Sequence, residues 1–311
     1  MYDIQKIGLD VGRGYTKAFS IHNNLMKSCK FKSNVGLGRK IDFSDFNDPI
    51  YLKVNDAPVS HFIGELSEKE GDGARQNSVD AKTNNPDVEL LICAALSKVA
   101  VSNKVQIMLG VPKKLFSKKV MNEVIETYKD KTYKIQDLIS KKTKTITIAD
   151  IMICREGDAC AYGLVSKNPE LKERAFATAV LGFRTLELCY YDKGMKYNDR
   201  KSPSFEIGNI TTLKFVQEHV SINRNGAKYD LEVIDSSDDF DELKKYGNQA
   251  TLQKLKSNLE NTWINMGEQK IFVAGGTMKN LSKLSGFDFN LVPDPQMAVA
   301  KGLYEAAKAR F

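Results

Sequence analysis

The sequence has no apolar run long enough to cross a bilayer. Its longest, LLICAALSKVAV, is interrupted by Ser97 and Lys98, which excludes a membrane-spanning helix there. Cysteine is scarce. Cys29, Cys93, Cys154, Cys160 and Cys189 are odd in number, form no C-x-x-C pair and stand near no histidine cluster. A disulfide framework and a zinc ribbon are therefore not expected, and buried free thiols are. There is no G-x-x-x-x-G-K-[ST] and no G-x-G-x-x-G opening a helix, so neither standard phosphate-binding fingerprint applies. No short-period repeat or low-complexity linker divides the chain. No signal-peptide pattern is present, since MYDIQKIGLD enters a strand directly; a cytoplasmic location is expected.

What remains is ordinary globular material. The chain has 311 residues, 42% hydrophobic and 27% charged, a length that predicts about two domains. The formal net charge is +7, with small clusters at Lys113-Lys114, Lys118-Lys119 and Lys141-Lys142-Lys144. No DNA-binding motif accompanies them, so a solvated basic surface is expected rather than a nucleic-acid groove.

The elements alternate. Ile7, Leu9 and Val11 alternate with small or polar residues, and Ala18 to Ile21 return as a second strand, which predicts a hairpin. Phe31 to Thr83 is rich in Asn, Asp and Gly, with strand candidates in PIYLKV and HFIGEL. Asn85 and Pro86 then open a helix with Val88, Leu91, Ile92, Ala95, Leu96 and Val99 on one face. KVQIMLGVP is a buried strand, a helix follows near Phe116 to Tyr128, and KTITIADIMICREG supplies further strand. The order predicts an α/β domain. In the second half AFATAVLGFRTLELCYYDKG repeats the hairpin design. The polar block Asn198 to Tyr246 is expected to hold short helices and strands. A long helix is predicted near Gln249 to Asn265, with Leu252, Leu255, Leu259 and Trp263 on one face. KIFVAGGTMKNL reads as strand, Gly-Gly turn and helix, and PDPQMAVAKGLYEAAKARF as a final helix with proline at its start.

Each hairpin carries a glycine turn. In the first, IGLDVGRGYTKAFS, Gly12 and Gly14 permit positive φ. A plain hairpin explains the turn but not Asp10 at the strand end or Lys17 beyond the glycines. Glycines admit phosphate to backbone N–H groups, a lysine offsets its charge, and an aspartate holds a metal through water. Two related domains facing one another across a cleft would set both turns on one phosphate chain.

These segments carry a family resemblance over nearly the whole chain. GLDVGRGYTK, REGDACAYG, VLGFRTLEL, FVAGGTMKNL and PDPQMAVAKGL resemble, in order, the first phosphate loop, first connecting helix, second phosphate loop, adenosine loop and second connecting helix of the actin-like ATPase superfamily. They are most like its plasmid-segregating ParM branch. The resemblance implies a duplicated, ribonuclease H-like α/β fold of two domains around a nucleotide cleft, each with a smaller insertion. The expected limits are 1–165 (insertion about 32–84, with the helix 296–311 packing back) and 166–295 (insertion about 198–248). Ala159 and Gly163, and Ala298 and Gly302, are small residues spaced to let two helices cross closely, as a hinge between domains needs.

The resemblance also implies roles. Gly12, Arg13, Gly14 and Tyr15 would wrap the β- and γ-phosphates, Lys17 would offset their charge, and Asp10 would hold Mg²⁺ through its water shell. Glu156 would orient the attacking water. Gly182, Arg184 and Thr185 would form the second phosphate turn. Gly275, Gly276 and Thr277 would meet adenosine and the α-phosphate, with a helix N-terminus at Thr277 favouring negative charge. The implied activity is ATP or GTP hydrolysis coupled to filament assembly. The filament would drive plasmid DNA through a ParR-type adaptor at a centromere, with no membrane and no direct sequence-specific DNA contact. Val180 stands where the family usually carries an aspartate, Glu187 matches a different acidic position, and Arg13 replaces the usual Ser, Asn or Thr. These departures leave Mg²⁺ placement and hydrolysis rate open. Two alternatives stay in view. One is a small-molecule kinase of the same fold, for which no substrate-base aspartate stands out. The other is a nucleotide-binding module with little hydrolysis.

Overall fold

The computed structural model describes residues 4–41, 46–77, 81–223, 226, 229–263 and 270–311. They belong to two compact units, Met1–Gly163 with Val299–Phe311, and Leu164–Ala298.

Unit 1 contains, in chain order, β1 (Gln5–Val11), β2 (Tyr15–His22), β3 (Leu25–Lys32), β4 (Asn34–Leu37), β5 (Ile50–Val54), β6 (His61–Ile63), α1 (Glu65–Glu70), β7 (Asp72–Gln76), α2 (Pro86–Val99), β8 (Lys104–Val111), α3 (Lys118–Tyr128), β9 (Thr132–Asp137), β10 (Lys142–Arg155) and the start of α4 (Glu156–Lys167). Among the described residues these strands form one sheet in the order β3-β2-β1-β8-β10-β9-β5-β6-β4-β7. Its centre is parallel: β8 pairs with β1 on one side and β10 on the other. KVQIMLGV suits that place, because a parallel strand covered on both faces reads as a near-continuous apolar run; from Ile107 to Val111 it is wholly buried. The segment 32–84 supplies β4 to β7, and β5 pairs with β9, so its strands continue the main sheet.

Helix α2 forms as its sequence predicts. The Asn85 side chain accepts from the backbone N–H of Asp87, Pro86 occupies the first turn, and the expected apolar face is buried together with Cys93 and Ala94. Burying each large aliphatic side chain there contributes roughly 1.5–3 kcal/mol. Ser117 caps α3 by accepting from Val120 N–H.

Unit 2 contains β11 (Phe176–Leu181), β12 (Leu186–Asp192), β13 (Lys196–Tyr197), β14 (Ser204–Phe205), α5 (Asn209–Asn223), α6 (Leu231–Ser236), α7 (Asp241–Thr262), β15 (Lys270–Ala274), α8 (Met278–Leu281) and β16 (Asn290–Leu291). Its sheet runs β13-β12-β11-β15-β16, with β14 on β12. Leu252, Leu255, Leu259 and Trp263 join the core of this sheet. Leu213, Val216, Val220, Ile234 and Phe240 form a separate small core on α5, α6 and the turn that leads into α7. Helix α5 is 15 residues long, more than the short helices expected in that block. Helix α7 begins at Asp241, upstream of the expected Gln249, because Asp241 and Glu242 favour the positive end of a helix. The expected terminus Asn265 lies outside the described residues.

The last helix, α9, spans Ala298–Arg310. The prolines do not open it. Asp294 adopts φ 51° and accepts from Met297 N–H at 3.0 Å, so Pro293 to Met297 form a turn. Past Ala298 the helix belongs to unit 1 and packs there backbone to backbone. A Cβ on Gly302 would lie 1.7 Å from the Ala159 carbonyl oxygen, and one on Gly8 would lie 2.2 Å from that of Ala300. Tyr304 donates its hydroxyl to Ile21 O at 2.8 Å and meets Phe19 edge-on at 5.4 Å.

Gly302→Ala gives a test of sign. In an open helix this change stabilises by about 1 kcal/mol. Here the methyl collides with the backbone of α4, so stability should fall by about 1–3 kcal/mol. Denaturant unfolding, with Lys308→Ala as surface control, checks it; a gain in stability would show that the helices are not in backbone contact.

Candidate functional site

Parallel pairing of β1, β8 and β10 brings their carboxyl ends to one edge. Leu9 is level with Leu109, and Gly110 with Cys154. Just beyond them stand Asp10 and Gly12 at the end of β1, and Glu156, the first residue of α4. Neighbouring strands are about 4.8 Å apart, so β1 and β10 are separated by about 10 Å. This edge is where open α/β sheets bind ligands. A Cβ on Gly110 would lie 3.5 Å from Glu156 Cγ, so the base of the Glu156 side chain rests over the end of β8.

Asp10 and Lys17 are register partners across the hairpin, which points both side chains to one face. Lys17 Nζ donates to Asp10 Oδ2 at 2.7 Å, with the side chains 13% and 4% exposed. The other carboxylate oxygen, Asp10 Oδ1, is buried and has no hydrogen-bond partner among the described residues. A buried acceptor without a donor is costly, and a cation would satisfy it. Mg²⁺ commonly binds through one or two carboxylates, substrate phosphates and retained waters. Asp10 therefore fits a hydrated Mg²⁺ on its free oxygen. Among the described residues, no group of three or more His, Cys, Asp or Glu gathers as a metal cluster.

The turn itself differs from its expectation. Positive φ among the described glycines falls at Gly64, Gly73, Gly194, Gly226, Gly275 and Gly286, not at Gly12 or Gly14. Gly12 matters for space. Its N–H donates to Tyr15 O at 3.1 Å, and a Cβ there would lie 2.9 Å from that oxygen and 3.8 Å from Asp10 Oδ1. Arg13 and Tyr15 are half-buried in the same turn, and Gly14 is buried. Gly14 O accepts from Ser33 N–H at 3.0 Å.

The second hairpin closes in the same way: Gly182 N–H donates to Thr185 O at 2.9 Å. Arg184 lies 3.8 Å from Glu206. Alongside, β11 and β15 are parallel, and Gly275 follows β15 with φ 107° and room for no side chain, its virtual Cβ being 2.1 Å from Leu181 O. Thr277 Oγ1 donates to Gly182 O at 2.7 Å, which ties the two turns of unit 2 together. The helix expected at Thr277 is only four residues long and begins at Met278, so its dipole is small. Gly276 faces Gln296, whose Nε2 is 3.6 Å from the virtual Cβ.

Val180 precedes Gly182 as Asp10 precedes Gly12, and it pairs with Glu187 as Asp10 pairs with Lys17. Both are buried, at 3% and 2% exposure. The carboxylate of this hairpin therefore stands on the returning strand. Sequence spacing missed Asn77 and Lys82, which reach the first turn from elsewhere: Asn77 Nδ2 donates to Gly12 O at 3.3 Å and Lys82 Nζ to Val11 O at 2.5 Å. No local motif signals them. Burial pushes the Cys29 and Cys160 thiols up to about 12 and raises those of Cys93 and Cys154 as well, which disfavours the reactive thiolate.

Residues 8–157 match the family model described as "Actin like proteins N terminal domain". No curated protein sequence matches the chain. Among solved structures, an archaeal actin homolog, Ta0583, is 17% identical with a TM-score of 0.79 over 98% of this chain and 100% of its own. A ParM from a 15-stranded filament of Clostridium botulinum is 20% identical, with a TM-score of 0.80 over 99% and 100%. A Bacillus thuringiensis ParM is 12% identical, with a TM-score of 0.65 over 99% of both chains. Residues 8–157 thus match an actin-like N-terminal domain, and the whole chain has the fold of the archaeal actin homolog and of ParM.

Proposed function

We propose that this protein binds a nucleoside triphosphate with Mg²⁺, hydrolyses it, and assembles with copies of itself into filaments. The observation that carries the reading is the half-satisfied, buried Asp10 carboxylate beside a glycine turn, on the same sheet edge as Glu156. Relatives support it: the archaeal homolog has been crystallised with ADP, the B. thuringiensis ParM was determined with ATP, and the C. botulinum ParM forms filaments.

In this reading the backbone of Gly12, Arg13, Gly14 and Tyr15 holds the β- and γ-phosphates, and Lys17 offsets their charge. Asp10 holds Mg²⁺ through water on its Oδ1 side. The metal, when bound, neutralises charge on the phosphate oxygens. Glu156 orients the attacking water by accepting a hydrogen bond from it. Gly182, Arg184 and Thr185 form a second phosphate turn, and Gly275, Gly276 and Thr277 take the adenosine side. The filament would move plasmid DNA in the cytoplasm through a ParR-type adaptor, using ATP or GTP. Among the described residues no helix is long and apolar enough to cross a membrane. A second reading, binding and assembly with slow hydrolysis, is favoured by Val180 in place of an acid.

Glu156→Gln separates hydrolysis from assembly. Phosphate release should slow about a hundredfold, while sedimentation with Mg²⁺-ATP stays near the parent level and pellets persist longer. Parental phosphate release would remove Glu156 from the mechanism.

The Asp10–Lys17 pair yields a stability cycle. Lys17→Met leaves a carboxylate buried without its cation and should cost about 3 kcal/mol in nucleotide-free protein. Adding Asp10→Asn should restore most of that loss. Urea unfolding of the four proteins measures the coupling; additive effects would show that the two side chains do not share a buried ion pair.

A further inference from the structure

Lys82 is 3% exposed, and lysine is almost never fully buried unless it is paired. Its ammonium has three donors and no acceptor. One donor reaches Val11 O at 2.5 Å. Among the described residues no carboxylate pairs with it, and it makes no other polar contact. Other shielded lysines of unit 1 are better satisfied. Lys17 meets Asp10, Lys32 meets Glu68 through both oxygens, and Lys144 donates to two carbonyls at the end of α2.

The backbone of Lys82 is fixed. Tyr128, 1% exposed, donates its hydroxyl to Lys82 O at 2.5 Å. The acceptor of Lys82, Val11 O, is the last strand carbonyl before Gly12, and the next carbonyl, Gly12 O, accepts from Asn77. The ammonium therefore sits where the first turn begins, next in sequence to Asp10. Pinning one carbonyl needs only a neutral donor, whereas a buried charge with a single neutral partner is costly. An anion arriving at the turn would remove that cost.

We infer that Lys82 is a second cation of the phosphate site, which turns from Val11 O to the terminal phosphate of a bound nucleoside triphosphate. The inference rests on the nucleotide-binding reading above and adds a discrimination: triphosphate gains the contact and diphosphate does not.

The test uses Lys82→Met and Lys82→Gln, the second keeping a neutral donor for Val11 O. Binding of ATP and ADP, each with Mg²⁺, is measured by calorimetry alongside nucleotide-free thermal melts. Both variants should lose about ten- to a hundredfold in ATP affinity, the range for a charge-assisted hydrogen bond, with ADP affinity within about threefold of the parent. Lys82→Met should melt at or above the parent temperature without nucleotide, because it removes an uncompensated charge. If Lys82→Gln folds and binds ATP like the parent, or if ATP and ADP affinities fall together, the assignment is overturned and Lys82 is a structural peg. A parent protein that binds neither nucleotide overturns the nucleotide reading, and this inference with it.

Discussion

A strand that runs parallel to its neighbour must be reached by a crossover, so its carboxyl end lies beside its neighbour's carboxyl end. Unit 1 applies this constraint twice, from β1 to β8 and from β8 to β10. It is why Asp10, Gly110 and Glu156, scattered through half the chain, share one edge of one sheet. The crossovers are α2 and α3 with β9, and their apolar faces fill the core that keeps the three strands in register. The chemistry at the edge is thus set by side chains far from it: a register slip by one residue would turn Asp10 to the opposite face.

The two hairpins repeat one backbone device with its charges changed. Gly12 to Tyr15 and Gly182 to Thr185 close through the same hydrogen bond across four residues. In the first, the acid is on the outgoing strand and the base on the returning one. In the second, the outgoing position is Val180 and the acid is Glu187. Cross-strand partners share a face, so a buried carboxylate is retained in unit 2 at a different Cα and on a longer side chain.

The fold was legible where local chemistry and burial agree. Alternation marks the first hairpin, a repeat of its design marks the second, and Asn85, Pro86 and a helical apolar stripe mark α2. It was not legible where they diverge. Strand β3 carries Lys27, Lys30 and Lys32 and lies at the sheet edge, where charge protects against further pairing; its composition hides it. Strand β9 is recognisable through its partners β10 and β5, which are distant in sequence. The turn glycines were visible, but their backbone angles were not, because glycine serves at Gly12 to leave room and at Gly275 to adopt positive φ. The polar groups from outside the hairpin were invisible. Lys82 lies 71 residues from the carbonyl that it holds and Asn77 lies 65 from its own, and no periodicity connects them.

The packing of α9 on Gly8 and Ala159 has a consequence for the order in which the chain is made. Unit 1 needs residues 299–311, which follow all of unit 2. At about 5–20 residues per second, a ribosome spends on the order of ten seconds on the intervening segment. Throughout that interval β1 and the start of α4 lack their covering helix, whereas unit 2, continuous in sequence, has its full complement of residues as soon as the interval ends. The unit that begins first is the one completed last.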